Sequence, residues 1–182
     1  MSTPSKNPRK TAFGNIKRLV IAAMLVAMSV VIGIFCKNFL NFSNGLLRIT
    51  FENLPILIAG IFLGPFIGGF VGLASDLVSY FMSSQIYPPN LIVTLGACTV
   101  GVISGLVAKY VVKARGSKQI IFSALPAHLL GSVIIKSAGL FAIYGWAIVV
   151  RLPIYLIIAT LEICLLCLLW RHTSFRRLFE NI

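Results

Sequence analysis

The stretch ENLPILIAGIFLGPFIGGFVGLASDLVSYFMS, residues 52–83, is apolar almost throughout and interrupted only at Gly64-Pro65. Backbone amides in lipid have to be satisfied within their own segment, so each half of such a run is a helix, and a Gly-Pro step is where one helix stops and the next begins. Working outward, further apolar runs lie at 19–36, 90–112, 120–144 and 149–170. With 52–64 and 65–83 they predict six transmembrane helices in an all-α membrane protein. Composition agrees: 58% of the 182 residues are hydrophobic and only 11% charged, too little polar surface for a water-soluble globule. The first run is longer than a signal-peptide core and no small-x-small cleavage site follows it, so it reads as mature structure.

Charge sets the expected orientation. Lys6, Arg9, Lys10, Lys17 and Arg18 precede the first run, Lys109, Lys113, Arg115 and Lys118 surround the fourth-to-fifth loop, and Arg171, Arg176 and Arg177 follow the last. An even number of spans puts these groups on one side, and the positive-inside rule makes that side, with both termini, cytoplasmic. The +12 net charge is thus read as topology, not as a nucleic-acid footprint. The expected organisation is a disordered basic tail at 1–18, a six-helix domain at 19–170 and a basic tail at 171–182. Lys37 and Arg48 are expected in an outer loop.

No phosphate-binding Gly-rich loop is present, so the chain does not harvest ATP by itself. Cys164-Leu-Leu-Cys167 has metal-ligand spacing, but in an apolar helix cysteine is a small hydrophobe, and no metal or cofactor is expected. With 4 acidic residues and no nucleophile-base pair, an enzyme is not expected. Small residues recur every four positions at Gly60, Gly64, Gly68 and Gly72, at Ala97, Gly101 and Gly105, and at Ala23 and Ala27. Such rows serve either packing within the bundle or docking of another membrane protein.

Ionisable groups inside spans are expensive and mark functional sites. Asp76 falls about 10 Å below the outer end of the third span at 1.5 Å per residue, and Lys136 lies at a similar depth. Arg151 opens the sixth span, with Tyr155 one turn deeper. Tyr80, Tyr144, Trp146 and Tyr87 add aromatic faces near the outer side, which by composition is a small-molecule pocket. Each has a structural alternative: Arg151 and Trp146 as interfacial anchors, Lys136 as a counter-charge to Asp76. His128 and Glu162 lie deeper, as a packed polar pair or a proton relay.

The run Arg48-Ile49-Thr50-Phe51-Glu52-Asn53-Leu54-Pro55-Ile56, then Ala59 to Pro65, then Gly72-Leu73-Ala74-Ser75-Asp76-Leu77, resembles the substrate-binding S components of energy-coupling factor vitamin transporters, the folate family most closely. Leu129 to Ser132, Ile135-Lys136-Ser137 and Arg151-Leu152-Pro153-Ile154-Tyr155 support the likeness. The resemblance implies a prokaryotic cell-membrane protein that captures a vitamin from outside. Its partners would be a transmembrane coupling subunit and two ATPase subunits that supply the ATP hydrolysis. It also implies that Ala23 and Ala27 dock on the coupling subunit.

Folate carries a pterin with a donor-rich amino-pyrimidine edge and a glutamate with two carboxylates. On that expectation Lys136 and Arg151, with Arg48, meet the carboxylates, and Asp76 or Glu52 meets the pterin edge. Tyr80, Tyr87, Tyr144, Trp146 and Tyr155 stack or donate hydroxyls, and Asn90 and Thr94 line the outer start of the fourth span. The alternatives are an S component for pantothenate or riboflavin, and a stand-alone proton-coupled transporter.

Overall fold

The structure is a computed structural model that describes residues 8–42, 47–82, 90–112 and 116–180. It is a helical bundle. Helix α1 runs Pro8–Phe39 and is followed by a two-residue-per-strand hairpin, β1 (Asn41–Phe42) and β2 (Leu47–Arg48). Helix α2 (Asn53–Ile58) passes into a π-helical turn at Ala59–Leu63, and α3 spans Pro65–Met82. Helix α4 (Leu91–Leu106) ends in a π turn at Val107–Val111. The next span combines α5 (Ser117–Ala127), a π segment (His128–Lys136) and α6 (Ser137–Tyr144). A 3-10 segment (Gly145–Val150) leads into α7 (Arg151–Arg171), and α8 (Thr173–Glu180) closes the chain.

Among the described residues, 5 helices are long and apolar enough to cross a bilayer: Ile16–Phe39, Pro65–Met82, Leu91–Val111, Ser117–Phe141 and Gly145–Arg171. The remaining apolar run forms only Asn53–Leu63. At 1.5 Å per residue it is about 16 Å long, roughly half the hydrocarbon thickness. Both ends are fixed locally. Pro55 sits in the first turn, where a missing N–H costs nothing, and Gly64 at φ 105° turns the chain into Pro65, a conformation a side chain would resist. Every residue from Asn53 to Ile61 is buried, so this short helix lies in the middle of the bundle and packs on α1, α3, α4 and α7.

Glycine makes that central position possible. A Cβ on Gly60 would lie 2.1 Å from Ser104 Oγ, on Gly68 2.5 Å from Gly60 Cα, on Gly101 2.1 Å from the Gly68 carbonyl oxygen, and on Gly105 2.6 Å from Pro65. Gly72 faces the Ala97 carbonyl in the same way, at 2.3 Å. These rows are spent on backbone-to-backbone contact between the short helix, α3 and α4, and the alternative of partner docking does not apply to them. Ala23 and Ala27 differ: both are exposed on α1, among Leu19, Val20, Met24, Met28 and Val31.

Three expectations change. The helix already starts at Pro8, so the described part of the stretch 1–18 is a helical extension of the first span. Lys37 lies in α1, inside that span, and not in a loop. The C-terminal segment forms α8, whose Phe175 and Phe179, one turn apart, pack on Phe62 (ring centroids 5.9 and 4.7 Å), while Arg176 and Arg177 stay exposed. Trp170 stacks on the same Phe62 at 5.0 Å. Apolar area on one face of a short helix thereby finds cover that its charge pattern did not reveal.

Because the Gly68–Gly101 crossing leaves no room for a methyl group, Gly101→Ala is expected to destabilise the bundle by about 1–3 kcal/mol. A thermal melt of purified protein in detergent checks this, and an unchanged melting temperature contradicts it.

Candidate functional site

A small cavity lies beside the N-terminal end of the short helix, lined by Ser29, Glu52, Ile56, Ser75, Asp76, Ser79 and Ala97. Its walls come from α1, α2, α3 and α4. Glu52 is carried by the turn entering α2, and its backbone carbonyl accepts from Ser29 Oγ at 2.7 Å, which ties that turn to α1. Gly33 lets the two elements meet: a Cβ there would touch Glu52 Oε2 at 3.1 Å and Ser79 Oγ at 3.2 Å. Across the cavity, Lys37 Nζ donates to Ser79 Oγ at 2.9 Å and to the Ser79 carbonyl at 3.2 Å.

Lys136 enters from the end of the π segment. Its Nζ donates to Asn53 Oδ1 at 2.9 Å and lies 3.4 Å from Glu52 Oε1, with Lys136 only 5% exposed. Gly96 clears its path, since a Cβ there would be 2.7 Å from Lys136 Cγ. The counter-charge of Lys136 is therefore Glu52, and not Asp76 as depth alone suggested. Asp76 instead accepts from Thr94 Oγ1 at 2.6 Å. Asn90, the N-cap of α4, accepts from Ile92 N at 3.0 Å and donates to the Gly139 carbonyl at 2.5 Å, locking the start of α4 to α6. Buried Ser75 Oγ has no hydrogen-bond partner among the described residues, so the cavity holds an uncommitted polar group.

Arg151 forms a second cluster. It is 6% exposed, and its guanidinium carbon lies 5.4 Å from the Tyr155 ring centroid and 5.9 Å from that of Tyr144. No salt bridge among the described residues involves it. Aromatic quadrupoles stabilise the cation there while leaving its donors for an anion. It is thus a buried cation, and not a snorkelling interfacial anchor.

The remaining expected residues divide plainly. Tyr80 is half-buried, edge-on to Phe81. Trp146 is 81% exposed, with the edge of Phe141 against its ring. Tyr87 lies outside the described residues, as does the side chain of Arg48, although its backbone pairs in the hairpin. Ser29, Lys37, Asn53, Ser75 and Ser79 were missed as site members. Asn53 had a signal, as a polar residue beside Glu52 opening an apolar run. Ser29 and Lys37 had none, because their partners are 23 and 42 residues away.

A family model described as "ECF transporter, substrate-specific component" matches residues 17–178. The chain belongs to this family. The bundle also superposes on a crystal structure of FolT bound with folic acid, with a TM-score of 0.66 over 85% of this chain and 93% of that one, at 24% sequence identity. That likeness establishes the shared fold. No curated protein matches by sequence. As a member of the family the chain is the membrane-embedded, substrate-binding part of an ECF vitamin transporter, and the cavity with its charged lining is the candidate binding site.

Removing Lys136 strands Glu52. Lys136→Met is expected to lower stability by about 2 kcal/mol, and the added change Glu52→Gln to restore most of it. Melting temperatures of the single and double variants measure the coupling; equal melting temperatures for both would show that the pair is not coupled.

Proposed function

We propose that this chain is a folate-binding S component. The observation that supports the reading is the pairing of two carboxylates, Glu52 and Asp76, in one cavity with the buried Ser75 hydroxyl, while a second cluster holds a buried Arg151 with no salt bridge among the described residues. A pterin presents adjacent N–H donors along its amino-pyrimidine edge, and an acidic cavity accepts them; the folate glutamate is an anion, and Arg151 between two tyrosine rings receives it. Lys136 then has a different role from direct contact with the vitamin's carboxylates: it holds Glu52 in place. Thr94 does the same for Asp76. Tyr80 and Asn90, with Arg48 and Tyr87 from the sequence alone, are further candidates for the proposed site.

The cavity as it stands has room for about one water molecule. A vitamin needs a pocket of about 300 Å³ or more, so capture separates helices around the short central one. The proposed topology has both termini and the Arg-rich α8 in the cytoplasm, with the short helix completing a sixth, partial crossing whose outer end holds Glu52. In the proposed transport cycle the vitamin is taken from outside and released inward, driven by ATP hydrolysed on two partner ATPases and transmitted by a coupling subunit in a prokaryotic cell membrane. The exposed Ala23 and Ala27 on α1 give that subunit a smooth face, since a helix backbone can approach closely only where side chains are small.

Tryptophan fluorescence of purified protein, titrated with folate and with a panel of other vitamins, tests the substrate. Quenching by folate at lower concentration than by pantothenate or riboflavin is expected, and Asp76→Asn and Arg151→Ala each weaken it about tenfold or more, the size of a lost charge-assisted contact. A wild-type protein indifferent to folate rejects this substrate. Ala23→Leu and Ala27→Leu are expected to leave vitamin binding intact and abolish uptake in cells expressing the partner subunits; full uptake by both variants would remove the docking role.

A further inference from the structure

His128 and Glu162 take no part in the cavity, yet they are the most deeply enclosed ionisable pair among the described residues. His128 is 3% exposed and Glu162 0%, with Nε2 and Oε2 3.1 Å apart. The approach is off the line of a hydrogen bond, and neither Glu162 oxygen nor His128 Nε2 has another hydrogen-bond partner among the described residues. Of the helices packed around them, α2 over Asn53–Ile58 and α4 over Leu91–Leu106 bear no charged side chain and the one titratable group on them is the Cys98 thiol, while α5 carries Lys118 and α8, against α7, carries Arg176, Arg177 and Glu180. Along their own helices, the nearest cations outward are Lys136, which is held by Glu52, and Arg151, and the nearest thiol is Cys164, which faces outward.

Position gives the pair a purpose. His128 opens the π segment that ends at Lys136, and Glu162 sits on α7, the helix that begins at Arg151. The contact therefore ties together the two helices that carry the two buried cations, at a level below both. The tie is needed because the helix is soft at this point. Pro126, inside α5, supplies no N–H and crowds the preceding turn, and the chain runs in the wider π register from His128 onward. A π segment has poorer local order than an α-helix, so a fixed cross-link at its first residue determines where its last residue lies.

We propose that His128 and Glu162 are positioning residues for the vitamin site: their 3.1 Å contact sets the spacing of Lys136 and Arg151, and binding draws the pair into line. This rests on the reading of Lys136 and Arg151 as site residues. The pair itself touches no vitamin. Its energetic value lies in preorganisation, because Arg151 and the Lys136–Glu52 pair, held at the right separation, do not have to be ordered when the vitamin arrives.

The test uses the full chain in detergent or lipid nanodiscs, with whichever vitamin of the panel the wild type binds as probe, so that indifference to folate rejects the folate reading without deciding the clasp. Glu162→Gln keeps an acceptor opposite His128 and is expected to bind within about threefold of wild type. The double variant His128→Leu with Glu162→Leu replaces the pair by apolar volume, which is expected to preserve or raise the melting temperature while weakening binding about tenfold, as expected for lost preorganisation. A merely structural pair predicts that affinity follows stability, so wild-type affinity in the double variant overturns the proposal, as does an equal loss in Glu162→Gln. Should the double variant not fold, the wild-type protein with 15N-labelled histidine decides. The buried His128 resonance is expected to move on vitamin addition while exposed His172 stays in place, and an unmoved His128 overturns the clasp.

Discussion

The close crossing of glycine backbones at Gly60, Gly68, Gly101 and Gly105 is the constraint on which the rest of this bundle depends. Helices in a membrane gain no hydrophobic energy from meeting one another, so close packing of backbone on backbone has to hold them. Here that packing seats a helix half the bilayer thickness long at the centre of the bundle. A short helix in that place has an end inside the membrane region, and helix ends carry polar groups. Glu52 and Asn53 stand at that end, which is how an acid and an amide come to be enclosed among apolar walls without breaking a spanning helix.

Enclosure then dictates pairing. Lys136 meets both Glu52 and Asn53; Asp76 has Thr94, and Arg151 has two tyrosine rings. Each of these charges retains capacity for a further partner, since a carboxylate accepts several hydrogen bonds and a guanidinium donates five. The Ser75 hydroxyl in the same cavity has no partner among the described residues.

The C-terminal end of the short helix is built on the opposite principle. Phe62, Trp170, Phe175 and Phe179 form a stack that covers it, with Arg176 and Arg177 exposed beside them. One eleven-residue helix thus runs from a polar end at the cavity to an aromatic end under α8.

Hydropathy determined the membrane class and five of the spans, because the cost of exposing a polar backbone to lipid is set by local sequence alone. It also marked Asp76, Lys136 and Arg151, since a charge inside an apolar run is visible without any fold. The small-residue rows were visible too, but their use was not: the same spacing on α1 faces outward at Ala23 and Ala27, and on α3 and α4 faces inward. Only the tertiary structure decided that Glu52, 84 residues away, partners Lys136, that Lys37 reaches Ser79, and that Trp146 is left exposed. Helical periodicity fixes which residues share a face, whereas the identity of the facing helix depends on how backbones pack across the whole chain.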